Sequence, residues 1–217
     1  QRSVATQCVE IAAVEAQHAE HRRRRHDRHA VGRVDLFTVH DLALVADAAV
    51  QVLPADYGRV FPVSGGLPLP KRAPQRQAYR LVELRRFCEY LAMPLTLQPK
   101  FFPVAAEPAA RLIIAGELAG GSEPALRLTG AVLKAVWAEQ RDIADPGTLA
   151  ALLAEQGLPA TWLPDSAAAE VQARYDANTQ RAIDAGVFGA PSYVVNGEIF
   201  WGQDRLDFLA RRLGVAP

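Results

Sequence analysis

The chain has 217 residues and is half hydrophobic, enough to bury a real core in one large domain or in a domain with a sizeable insertion. Its 24 basic and 24 acidic residues cancel, which argues against a nucleic-acid protein as a whole. Its two cysteines, Cys8 and Cys88, form no Cys-x-x-Cys pair, which argues against a disulfide framework or a zinc site.

The charge is unevenly spread. Residues 1–33 hold seven Arg against four acids, a net of +3, and all five His fall within the first 40 positions. Residues 4–20 have weak helical periodicity, and residues 21–29 read HRRRRHDRH. Such a run can bind phosphate backbones, but the simpler expectation is a solvated, poorly ordered basic leader over 1–32. No apolar run approaches the ~18 residues of a membrane span, and no secretory-signal pattern is present, so a cytoplasmic protein is expected.

Residues 34–37 (VDLF) are predicted to form a short buried strand, and residues 50–54 (VQVLP) a second. Residues 55–74 are rich in Pro and Gly and are predicted to form a long ordered loop. From Pro74 the apolar spacing turns helical, with Ala78, Leu81, Val82, Leu84, Phe87 and Cys88 recurring every three or four positions until Pro94. Further helices are predicted over about 107–119, 123–141, 147–156 and 166–185, with Ser122 and Asp165 as candidate N-caps. Strands return at 192–195 (SYVV) and 198–201 (EIFW), separated by Asn196-Gly197, a dipeptide suited to a type I′ turn. A last helix is predicted from about Gln203 to Leu213. Strands at both ends of a helical block predict an α/β fold, a sheet domain (33–73 plus 187–217) with a large all-helical insertion (74–186).

The tail, GVFGAPSYVVNGEIFWGQDRLDFLARRLG, carries candidate binding chemistry. A cis bond at Ala190–Pro191 would turn the backbone polar groups of Ala190 away from sheet pairing and toward an extended peptide. Gly202-Gln203-Asp204 opens a helix, whose free N–H groups attract a carboxylate. Asp204 could take a ligand ammonium, or could simply complement the helix dipole.

This tail resembles the C-terminal signature of the 2-hydroxychromene-2-carboxylate isomerase family, which is similar to kappa-class glutathione transferases and to DsbA-like thioredoxin folds. The resemblance extends through AVWAEQRDIADPGTLAALLAEQGL and DYGRVFPVSGGLPLPKRAPQRQAYRLVEL, roughly residues 50–217. It implies a thioredoxin-like sheet domain, glutathione as cofactor, a small aromatic substrate, and a cis–trans isomerase of aromatic-compound breakdown. It further implies that Ala190, ahead of Pro191, holds glutathione by its backbone, and that Gln203 and Asp204 take the γ-glutamyl end. Arg76, three residues before Tyr79, or less well Lys71, would take the glycyl end. A kappa-like transferase, a catalytically dead glutathione-binding relative and a homodimer are left open.

One part of the family pattern is missing. Relatives place a Ser, within a motif such as SPWSW, at the start of the first helix, where it would stabilise the glutathione thiolate. Here VDLF runs into TVHDLALVADAAVQVLP, with neither that Ser nor its Pro. Thr38 and His40 (with Asp41 beside them) are the weak catalytic candidates at this position. With codons ending in C or G, residues 39–46 read one base later give STTSPWS, so this stretch reads as a shifted-frame version of the family motif. An uninterrupted locus whose codons give no such motif would refute that reading.

Overall fold

The computed structural model describes residues 8–12 and 48–215. Four strands form one sheet in the order β2-β1-β3-β4: β1 (Cys8–Ala12), β2 (Ala49–Leu53), β3 (Ser192–Val195) and β4 (Glu198–Trp201). β1 runs parallel to β2 and antiparallel to β3, with Glu10 opposite Gln51 on one side and Val194 on the other. β3 and β4 meet at Asn196-Gly197, whose φ values of 52° and 81° give the positive-φ pair that a type I′ turn needs. The strands expected at 50–54, 192–195 and 198–201 therefore share one sheet. The strand expected at 34–37, and Thr38, His40 and Asp41, lie outside the described residues.

Two expectations are corrected. Residues 8–12 belong to the segment read as weakly helical and as poorly ordered leader, yet they form an inner strand of the sheet. Five residues show too little of a 3.6-residue period to exclude a strand, and Val9 and Ile11 suit pleated backbone. Pairing on both sides decides the matter. The second correction falls in the Pro- and Gly-rich stretch 55–74, which contains helix α1 (Tyr57–Ser64) with Pro62 inside it. Asp56 caps this helix by accepting from the Gly58 amide at 2.8 Å. Tyr57, Val60 and Phe61 lie on one face and are buried.

The helical block comprises α2 (Pro74–Leu91), α3 (Glu107–Gly120), α4 (Ser122–Trp137), α5 (Pro146–Glu155), α6 (Trp162–Asp165) and α7 (Ala169–Asp184). Pro74 and Pro146 open their helices at positions where a missing amide hydrogen costs little. The two expected caps are not formed. Ser122 is the first residue of α4, with no side-chain cap bond there, and Asp165 closes the four-residue α6 while Ala168 caps α7. After β4 the chain makes a 3₁₀ turn (Gln203–Arg205) before α8 (Leu206–Arg212).

The sheet is covered on both faces. On one side Val52, Tyr193, Val195 and Phe200 join the core of the helical block, including the fully buried Leu112, Leu128 and Trp137. On the other, Val194 packs with Tyr57, Val60 and Phe61 of α1 and Val187. The period-2 alternation of Tyr193, Val194 and Val195 thus sends neighbours into different clusters. Among the described residues no helix is long and apolar enough to cross a membrane, and no group of three or more potential metal ligands gathers.

Candidate functional site

The loop between α7 and β3 is held from beneath. The Gly189 carbonyl accepts from the buried Tyr57 hydroxyl at 3.0 Å and from the Ser192 hydroxyl at 2.6 Å. Both lone pairs of that carbonyl are therefore used, and the following peptide is fixed relative to α1 and β3. A Cβ on Gly189 would overlap the indole nitrogen of Trp201, so only glycine lets the loop pass this close to β4. The Ala190–Pro191 bond is cis. The Pro191 carbonyl accepts from the Gly202 amide at 2.9 Å, which ties the loop to the turn ahead of α8. Among the described residues neither the N–H nor the C=O of Ala190 has a hydrogen-bond partner.

Ala190 lines a cavity of about 430 Å³. One wall comes from the stretch between α1 and α2 and from the first turns of α2, which contribute Arg72, Arg76 and Arg80. The others are aromatic, with Phe61, Phe102, Phe188 and Trp201. The Phe188 and Trp201 rings sit 4.9 Å apart between centroids, and both are substantially exposed. The Arg72 Nε donates to the Leu67 carbonyl at 2.8 Å, and the Gln77 amide donates to the Arg72 carbonyl at 2.7 Å. These bonds brace the loop that carries the first guanidinium. Lys71, the weaker candidate, lies in a 3₁₀ turn (Leu69–Lys71), is exposed and does not line the cavity.

The structure therefore brings Arg76 and Ala190 to one cavity. Gln203 and Asp204 lie in a second, smaller hollow of about 150 Å³, against Phe87, Tyr90 and Leu91 from the far end of α2. The side-chain oxygen of Gln203 is buried without a hydrogen-bond partner among the described residues. The Asp204 carboxylate is half-exposed and pairs with the neighbouring Arg205. Its other oxygen lies over Gly202, where φ is 96° and a Cβ would come within 2.6 Å. The two hollows follow one another along α2. Its rise of ~1.5 Å per residue puts Phe87 roughly 16 Å from Arg76 between backbones.

Sequence reading missed two supports of this site. Tyr57 stood in a segment read as loop, and Ser192 looked like an ordinary strand residue. Neither carries a local signal, because each acts on a carbonyl distant in sequence or hidden beneath the turn. Arg72 and Arg80 were also missed. Their spacing of four on either side of Arg76 was the available signal.

Comparison with known proteins agrees with the architecture. A family model described as a DSBA-like thioredoxin domain matches residues 32–214, so β1 falls outside the matched stretch. The chain is 34% identical over 142 residues to a 2-hydroxychromene-2-carboxylate isomerase from Pseudomonas putida, a match covering 63% of this chain and 64% of that protein. It is 28% identical over 171 residues to a protein of the same name from Sphingobium xenophagum, covering 78% and 85%. Among solved structures, a 2-hydroxychromene-2-carboxylate isomerase aligns with a TM-score of 0.70 at 21% identity, over 95% of this chain and 94% of that one. The cytosolic disulfide reductase DsbM from Pseudomonas aeruginosa, solved with GSH, aligns at 0.56 and 15% identity, over 96% and 100%. The sheet with its helical insertion and the match over residues 32–214 lead to one conclusion: this chain belongs to the DsbA-like thioredoxin family.

Proposed function

We propose that the protein binds glutathione between the Ala190 loop and the start of α2, and that its reaction class is cis–trans isomerisation of a 2-hydroxychromene-2-carboxylate type of substrate. The observation that carries the reading is the Ala190 backbone, unpartnered among the described residues, at the wall of a cavity that also holds Arg76. An N–H and a C=O offered side by side suit the backbone of an extended peptide. Arg76 supplies a cation for one terminal carboxylate. The unpartnered Gln203 oxygen and the Asp204 carboxylate are acceptors for the ammonium of a γ-glutamyl end. Since an extended tripeptide spans about 10 Å, holding both ends requires the full reach of the Arg76 side chain. The relatives named as isomerases support the reaction class.

Bound glutathione would supply a thiol nucleophile. The chain's own residues hold the tripeptide backbone at Ala190, fix its charged ends, and present Phe102, Phe188 and Trp201 to a flat aromatic substrate while reducing its contact with water. The Ser motif that would stabilise the thiolate is absent from the sequence, and this favours a second reading, a glutathione-binding relative with little turnover. The test is a calorimetric titration with glutathione, paired with a chromene isomerisation assay run with and without it. We expect measurable but weak binding and low glutathione-dependent isomerisation. An adduct in place of an isomer would favour the transferase class, and no binding at millimolar glutathione would overturn the proposal.

A further inference from the structure

Leu69 and Phe102, which wall the large cavity, also border a second pocket of about 160 Å³. Its rim includes Pro68, Pro70 and Pro103, all exposed. Its floor is formed by Val132 and Val136, one turn apart on α4, and by Ile143, each at most 2% exposed. Among the described residues, no side chain of the lining carries a nitrogen or an oxygen. The backbone adds little. The three prolines have no N–H. The carbonyls of Pro68, Leu69 and Ala106 already accept from the amides of Lys71, Arg72 and Ala110 at 2.9, 3.1 and 2.9 Å. A well-held water needs about two to four polar partners, which this lining does not supply. The walls are also stiff. Proline rings fix φ, and the β-branched Val and Ile side chains are restricted at χ1, so the space is not closed by side chains folding into it.

We propose that this pocket is a second ligand site, separate from the glutathione cavity, which takes an uncharged single-ring hydrocarbon. An apolar protein cavity of roughly 150 Å³ is large enough to hold benzene, and the volume here is nearly the same. Binding would remove apolar area from water and displace poorly held water, with no hydrogen bond gained. Selectivity therefore runs against polar substituents, because a buried hydroxyl would lose its water without finding a partner. The proposal is independent of the glutathione reading, since neither Ala190 nor Arg76 borders this pocket.

The probes are benzene and phenol, close in size and different in polarity, titrated calorimetrically against the folded full chain. The parent should bind benzene saturably and at least tenfold more tightly than phenol. Val132→Phe fills the floor and should abolish benzene binding while leaving a glutathione titration unchanged. If that variant does not fold, Ala106→Leu fills the pocket from the segment ahead of α3 and should weaken benzene at least tenfold. Phe188→Ala, which opens the large cavity only, should leave benzene affinity within about twofold. A parent that does not bind benzene, or that binds phenol as tightly, overturns the proposal. Benzene binding that survives the filling variants, or that is lost with Phe188→Ala, places the ring in the large cavity and overturns it as well. The glutathione reading fails separately, when calorimetry shows no glutathione binding while benzene still depends on Val132 or Ala106.

Discussion

The Gly189 carbonyl offers a quantitative test of how the loop is held. It accepts from Tyr57 at 3.0 Å and from Ser192 at 2.6 Å, both buried. Tyr57→Phe removes one donor and leaves the carbonyl satisfied by the other, as does Ser192→Ala. Each single change should cost about 1 kcal/mol, the net worth of an ordinary hydrogen bond. The double variant is different in kind, because it leaves a buried carbonyl bare. That desolvation penalty is about 1–3 kcal/mol, so the double should exceed the sum of the singles by about 1 kcal/mol. Urea unfolding of the four proteins measures the cycle directly. In thermal scans each kcal/mol corresponds to roughly 2–4 °C for a domain of this size. Glutathione titrations of the same set read the loop itself, and affinity should fall with each donor removed. Double-variant stability equal to the sum within about 0.3 kcal/mol would refute the claim that the two hydroxyls share responsibility for one buried acceptor.

Asp204→Asn should weaken glutathione binding about ten- to a hundredfold, the worth of one charge-assisted hydrogen bond. Its stability should change by less than about 0.5 kcal/mol, because its pairing with Arg205 is exposed. A variant that loses stability but binds unchanged would make Asp204 a helix-start residue only. Gly189→Ala should leave secondary structure intact but displace Trp201, so its intrinsic fluorescence should shift and binding should weaken. Burial pushes the Tyr175 phenol up to about 12, with the charge of Asp56 adding to it. The folded state thus favours the neutral phenol. That stability is complete below pH 10 and is lost as pH rises from about 10 to 12, by roughly 2–3 kcal/mol in all. Tyr175→Phe should flatten this alkaline limb in pH-dependent denaturation; an unchanged limb would remove Tyr175 as its cause.

Local chemistry determined a large part of the molecule. Asn196-Gly197 supplies the positive-φ pair of the β3–β4 turn wherever it is placed, and Pro74 and Pro146 mark helix starts because they lack an amide hydrogen. Repeats of three and four in α2 announce a helix without help from neighbours. The tail motif likewise pointed to Ala190 and Pro191, since the backbone consequence of a cis bond is local. Other features depend on partners distant in sequence. Cys8–Ala12 is a strand because Ala49–Leu53 and Ser192–Val194 pair with its two edges, and nothing within the five residues encodes those partners. α1 persists through Pro62 because Tyr57, Val60 and Phe61 are buried against Val187 and Val194. The division of the candidate ligands, Arg76 with Ala190 in one cavity and Gln203 with Asp204 in another, follows from the start of α2 lying by the Ala190 loop and its far end by the turn ahead of α8. Hydrogen bonds within a turn or helix close over a few residues and leave a trace in the sequence. Which distant groups share a cavity is set by packing, which only the folded chain fixes.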